Sequence, residues 1–245
     1  MPKSKKDTGG FTPLTDETRY RLIYRSWGLE KTGKNHFGFT GPDPIYGLYF
    51  DPGGIEGVAE KFIRGEVDGR KREINAKFYR FRKSDEDSQE VANEIREQFN
   101  EDYQFALKNA RTIQWDETEF WAVCRFAEFG RESARTREYG PLNGYYRGLL
   151  QDAYDAGVNL QLIQKVKEMY EDDKRTGTYE PTGFKEAGYI VQANLCHTWD
   201  ADKGFGVQIV NCRQNMQLAG EMNYDVDFPQ VAQMVFPDSS EEDWQ

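Results

Sequence analysis

Apolar and polar positions change their period many times along this chain, and each change marks an element. "RYRLIYRSW" (19–27) alternates and is rich in aromatic and β-favouring residues, so it predicts a strand. A Gly-rich loop, 28–34, follows it. "NHFGFTG" predicts a short helix stopped by Gly41 and Pro42. "PIYGLYFD" predicts a second strand ending at Asp51, "IEGVAEKFIRG" a short helix, and "REINAKFYRF" a third strand. "DSQEVANEIREQFNEDYQFALKN" carries the stripe of a long amphipathic helix opened by an Asp/Ser cap. "ARTIQWDE" predicts a short buried strand with Gln114 interrupting its apolar run, and "TEFWAVCRFAEFGRE" a helix. "LNGYYRGLLQDAYDAG" predicts another helix, with Asn143 as its cap and Gly157 as its stop. "VNLQLIQKVKEMY" begins as a strand, and "EDDKRTGTYEPTGF" predicts a polar loop. "YIVQANLCHTWD" and "FGVQIVNCRQN" predict two strands joined by the turn "ADKG". Strands alternating with helices, then a β-rich end, predict an α/β fold: a mostly parallel sheet flanked by helices with a C-terminal antiparallel addition. Residues 1–18 predict a flexible arm, 19–236 the folded domain and 237–245 an acidic tail that serves solubility, or else competes with DNA for a basic groove or docks a partner.

Composition narrows the picture. The chain has 245 residues, enough for one large domain, and 14% are aromatic, too many for a disordered chain. No apolar run reaches the roughly 20 residues of a membrane helix. The basic start "MPKSKKDTGG" has no apolar stretch behind it, so no secretory signal is expected. Three cysteines, Cys124, Cys196 and Cys212, are far apart without a C-x-x-C pair, which suits the reducing cytoplasm. The net charge of −10 disfavours a protein that binds nucleic acid over its whole surface. Local basic clusters such as "GRKREINAKFYRFRK" and "RESARTRE" still allow a basic groove.

The chemistry concentrates in the loop after the first strand. "GLEKTGKN" places Gly28, Gly33 and Lys34 at the offsets of the phosphate-binding loop G-x-x-x-x-G-K-[S/T], and the loop follows a strand and opens a helix. Glycines let the backbone approach phosphate, and successive amides with the helix start supply positive potential. Lys31 and Thr32 lie inside this loop and His36 just after it, all three expected among the nucleotide-binding residues, and Lys34 is expected on the β- and γ-phosphates. Asn35 stands where a Mg²⁺-ligating hydroxyl is usual; its amide oxygen is also a hard ligand. The bland alternative is a Gly-rich turn with surface lysines. A phosphate loop needs a carboxylate at the end of a neighbouring strand to hold Mg²⁺, and Asp116 fills that position. Glu117 polarises water or caps the next helix; Asp51 orients water or is a turn residue before Pro52 and Gly53.

These landmarks, in this order, resemble the RecA-like P-loop ATPases, and more narrowly the ATP-binding RecA-like proteins of bacteriophages, a group that includes single-strand annealing proteins. The likeness runs from about Tyr20 to Phe236. It implies ATP and Mg²⁺ as cofactors, with Asp51 nearest the catalytic carboxylate that follows "YGLYFDPGG" and Asp116 as the acid of "RTIQWDE". It places Gln164 as the γ-phosphate sensor before a DNA-binding loop bearing Lys165, Lys167, Lys174 and Arg175. It makes Arg213 the basic residue that reaches a neighbouring subunit's phosphate, which implies a homo-oligomer with inter-subunit sites. Arg131, Arg135 and Arg137 lie where the family has a first DNA loop. Glu168, Glu171, Asp172 and Asp173 beside those lysines work against phosphate binding. Residue by residue, Gln164 is otherwise a polar strand end, Arg213 a surface ion-pair partner, the arginine run a solvated loop, and Phe126, Phe129, Tyr139, Tyr145 and Tyr146 core residues rather than base-stacking ones. His197 reads as packed. The expected function is a phage RecA-like ATPase acting on single-stranded DNA. A nucleotide-binding assembly protein without hydrolysis and a small-molecule kinase are the competing classes.

Overall fold

The computed structural model describes residues 20–244, so the expected N-terminal arm lies outside the described residues. β1 (Ile23–Trp27), α1 (Lys34–Phe39), β2 (Ile45–Tyr49), α2 (Glu56–Arg64), β3 (Ile74–Phe78), α3 (Ser88–Asn109), β4 (Thr112–Asp116) and α4 (Glu117–Phe129) alternate through the first half. α5 (Gly140–Ala156) leads to β5 (Asn159–Gln164), then β6 (Val166–Glu171) and β7 (Lys174–Pro181). The short α6 (Ala187–Ile190) precedes β8 (Ala193–Asp200), β9 (Gly204–Cys212), β10 (Glu221–Tyr224) and α7 (Phe228–Val235). One eight-stranded sheet has the order β10-β9-β8-β1-β5-β4-β2-β3. The run from β8 to β3 pairs in parallel, and β9 and β10 add antiparallel strands at one edge. This is the expected mostly parallel α/β sheet with a C-terminal antiparallel addition.

The period-2 alternation of the strands divides two cores. Ile23, Leu48, Ile113, Trp115, Leu160 and Leu162 face α3, α4 and α5, where Phe99 and Phe120 stack at 3.5 Å. Tyr24, Leu195, Val207 and Ile209 face α1 and α7, and Ile45, Tyr49 and Ile163 face α1 and α2. Both faces are covered, which is why the central strands read as apolar runs.

Four local expectations change. Asn143 does not cap α5: the helix starts at Gly140 with Pro141 in its first turn, where a missing N–H costs nothing, and Asn143 lies inside. "EDDKRTGTYEPTGF" is not an open loop; most of it forms the β6–β7 hairpin, closed by Asp172 and Asp173 at φ 48 and 60. α7 is an element beyond those the periodicity predicts, although Asp227 and Gln230 form the reciprocal capping box that announces it. The acidic tail is docked: Trp244 is 1% exposed and packs its ring against Phe228, Phe236 and Tyr20 at 5.7 to 6.0 Å. Charge counting missed this because one apolar anchor outweighs several solvated carboxylates.

Candidate nucleotide site

The loop from Gly28 to Gly33 leaves β1 at the carboxyl end of the sheet and turns tightly into α1. Gly28 has φ 147, and a Cβ there would sit 2.2 Å from the His197 carbonyl oxygen, so the loop lies directly on β8. Lys31 and Gly33 also take positive φ, 61 and 84. The floor is firm. His197 Nε2 lies 2.6 Å from Ser26 Oγ, and burial pushes the imidazole down to about 3, so it is neutral. His197 is thus a packed residue supporting the loop.

Inside the loop, Lys34 Nζ donates to the carbonyls of Gly28 and Leu29 at 2.9 and 2.7 Å, and Thr32 Oγ1 donates to Leu29 at 2.8 Å. Burial lowers the Lys34 pKa and the neighbouring Glu30 opposes it. The Lys34 carbonyl is pinned from below by Gln161 Nε2 at 2.9 Å, while Tyr49 Oη donates to Gln114 Oε1 at 2.7 Å. The glutamine that interrupts the apolar run of β4 therefore has a place, beneath Gly38 of α1. α1 has only six residues, so the loop amides and Lys34, rather than a long helix dipole, set the local potential.

Asp116 ends β4 and accepts from the Phe50 backbone N–H at 2.8 Å. Burial pushes its carboxyl up to about 6, against the pull of the Phe50 and Asp51 amides. Asn35 Oδ1 is buried without a hydrogen-bond partner. An orphaned acceptor of this kind costs about 1–3 kcal/mol, which a cation or a donor would relieve, so the oxygen set fits Mg²⁺. No group of three His, Cys, Asp or Glu could hold a metal among the described residues. A cation here would need phosphate oxygens or water to complete its shell.

The loop opens onto a cleft of about 1130 Å³ at the carboxyl ends of β1, β2, β4 and β5, the usual ligand position in open α/β sheets. Lys31, Thr32, Gly33, Lys34, Asn35 and His36 line it on one side, and Asp51, Asp116, Gln164 and Lys165 on another. Asp51 accepts from the Gly53 N–H at 3.1 Å, so it is a turn residue that also borders the cleft. His36 packs edge-on to Phe62 at 4.9 Å and nearly parallel to Phe205 at 5.8 Å, and burial, aided by Lys61, lowers its pKa.

Other residues fall elsewhere. Glu117 is wholly buried and does not line the cleft; the water-polarising role is not available to it in this geometry. Its carboxylate accepts from Gln164 Nε2 and from the Phe184 N–H, both at 2.7 Å, and burial pushes it up to about 7. Arg213 follows β9, whose far end pairs with the start of β8. It therefore lies roughly 25 Å from Phe205, at the opposite end of the sheet from its own cleft, and donates to the Tyr189 carbonyl. Arg131 pairs with Glu138 at 3.6 Å, and the Arg135 N–H donates to Glu138 at 2.6 Å; with Arg137 they form the turn between α4 and α5. Phe126, Tyr139, Tyr145 and Tyr146 pack in the core rather than facing solvent.

On the hairpin, Lys167 pairs with Glu180 at 2.9 Å and Arg175 with Glu168 at 3.5 Å, while Lys174 sits beside the acidic turn. Lys165 pairs with Glu119 at the cleft edge. The cleft residues that the sequence does not single out include Phe205 from β9 and Lys61 from α2. Only the antiparallel return of β9 brings Phe205 over Gly33, where a Cβ would meet its ring at 2.8 Å.

No protein-family model matches the chain, and no curated protein sequence matches it. Among solved structures, the crystal structure of the RadB recombinase is similar, with a TM-score of 0.50 and 15% identity over 84% of this chain and 87% of that one. That likeness concerns the fold, and with the strand order and flanking helices it makes this a RecA-like α/β fold. No helix among the described residues is long and apolar enough to cross a membrane.

Proposed function

We propose that this protein is a RecA-like ATPase that binds ATP with Mg²⁺ in the cleft and acts on single-stranded DNA in recombination or annealing, in the cytoplasm of a phage-infected host. The observation that carries the reading is the joint placement of Lys34, Asn35 and Asp116 around one cleft at the carboxyl ends of the parallel strands. Lys34 would exchange its two carbonyl contacts for phosphate oxygens, and the loop amides from Gly28 to Lys34 would hold the rest of the triphosphate. Asn35 and Asp116 would hold Mg²⁺, which neutralises phosphate charge when bound. Asp51 borders the same cleft, which supports a role in orienting water. The RecA-like fold shared with a recombinase supports the DNA-dependent part. Contact with single-stranded DNA is assigned to the β6–β7 hairpin, where Lys167, Lys174 and Arg175 stand near the exposed rings of Tyr170 and Tyr179. Arg131, Arg135 and Arg137 form a second basic stretch. Arg213 serves only a neighbouring subunit, so turnover would require a homo-oligomer.

A second reading, a nucleotide-binding assembly protein without turnover, is favoured by Asn35 in the hydroxyl position and by Glu117 facing away from the cleft. One experiment separates them: binding of a fluorescent ATP analogue and phosphate release, with and without single-stranded DNA, on wild type and Lys34→Ala. Binding lost in the variant with release raised by DNA supports the ATPase. Binding without release supports the assembly protein, and no binding by wild type overturns both.

A further inference from the structure

Gln164 ends β5 at the cleft, 1% exposed. Its Nε2 donates to Glu117 Oε2 at 2.7 Å, and its Oε1 is buried without a partner. The second oxygen of Glu117 is taken by the Phe184 N–H at 2.7 Å. Gly183 gives the carboxylate room, since a Cβ there would lie 1.9 Å from Glu117 Oε2. The positive charge of Arg25 acts on the same group. Ionised, as it is above about pH 7, Glu117 only accepts hydrogen bonds, whereas an amide has one donating and one accepting end. Glu117 thereby dictates the orientation: the NH₂ of Gln164 turns toward the carboxylate, and its oxygen is left without a partner.

We infer that Glu117 is a positioning residue that fixes the Gln164 amide with Oε1 toward the cleft, where it accepts a hydrogen bond from the water that attacks the terminal phosphate. This rests on the triphosphate reading of the cleft. A phosphate oxygen offers no proton to an amide oxygen, so in this orientation Gln164 acts on the water rather than on the γ-phosphate. The water oxygen bonds to the terminal phosphorus as the bridging P–O bond breaks. Its proton leaves with the product phosphate and solvent, and the nucleoside diphosphate departs. Gln164 orients the water and takes no proton.

The test is a swap. In Glu117→Gln the new amide keeps its oxygen on the Phe184 N–H and turns its NH₂ to Gln164, which then presents NH₂ to the cleft. Affinity for a fluorescent ATP analogue should stay within about two-fold while kcat falls at least ten-fold. In the double variant Glu117→Gln/Gln164→Glu, the NH₂ of residue 117 donates to the new carboxylate, whose second oxygen faces the cleft. Turnover should recover several-fold over Glu117→Gln. Should Glu117→Gln fail to fold, Gln164→Ala carries the same split between kcat and affinity. Wild-type turnover in Glu117→Gln or Gln164→Ala, or a double variant no better than the single one, overturns the inference and leaves the ATPase reading standing. Wild type that binds nucleotide without turnover overturns the inference and selects the assembly reading, and wild type that binds none overturns all three.

Discussion

Gly38→Ala sets two physical rules against each other. Gly38 lies inside α1, and replacing a helical glycine by alanine ordinarily stabilises by up to about 1 kcal/mol. The structure reverses the sign. A Cβ at Gly38 would stand 1.9 Å from Gln161 Oε1 and 2.5 Å from Gln114 Nε2, far inside contact distance, and both amides are buried in central strands. To make room they must leave the Lys34 carbonyl and the Tyr49 hydroxyl, with which they bond at 2.9 and 2.7 Å. Each buried polar group left unpaired costs about 1–3 kcal/mol. Subtracting the helix gain leaves a net loss of about 1–5 kcal/mol, or a Tm drop of roughly 2–4 °C per kcal/mol at this chain length. Urea unfolding reads it as a lower midpoint at unchanged slope. Gly148→Ala in α5 is the control, because a Cβ there meets nothing within 4 Å; it should stabilise by about 0.5–1 kcal/mol. A Gly38→Ala protein as stable as wild type would refute the claim that the paired glutamines support the loop.

Further outcomes follow from other parts of the molecule. Asn35→Thr restores a hydroxyl at the loop, and the Mg²⁺ concentration giving half-maximal nucleotide binding should fall several-fold; an unchanged titration would remove Asn35 from the metal site. Trp244→Ala should cost about 3 kcal/mol in urea unfolding, whereas a free tail would lose nothing. Burial raises Glu117 from the usual carboxylate range to about 7. The folded state therefore binds more protons than the unfolded one between about pH 4.5 and 7, and stability should fall across that window as pH rises, by on the order of 3 kcal/mol. Glu117→Gln should flatten that slope; a slope unchanged in the variant would assign it to Asp116, also raised by burial.

Periodicity was enough to place most strands and helices, because alternation and the 3.6-residue stripe are local consequences of burying one face. The loop at Gly28–Lys34 was legible for the same reason: its glycines and lysine are contiguous, and their spacing is the chemistry. The late hairpin β8–β9 was legible from one turn. Tertiary structure decided what depends on residues far apart in the chain. Of the adjacent carboxylates at the end of β4, Asp116 reads as the Mg²⁺-side acid and Glu117 as a water-polarising group or a helix cap; Asp116 faces the cleft but Glu117 the core, because successive side chains at a strand end diverge. Gln114 looked like a flaw in a strand until α1 packed over it. Trp244 looked like the tip of a solvated tail until Tyr20, Phe228 and Phe236 gathered around it. Arg213 matched a position in order, but β9 runs antiparallel and carries it to the opposite end of the sheet, while the same reversal delivers Phe205 to the cleft. The turn fixes that β9 runs antiparallel to β8, but which edge of the sheet the pair joins, and so which end of β9 meets the cleft, is a choice made between segments far apart in the chain.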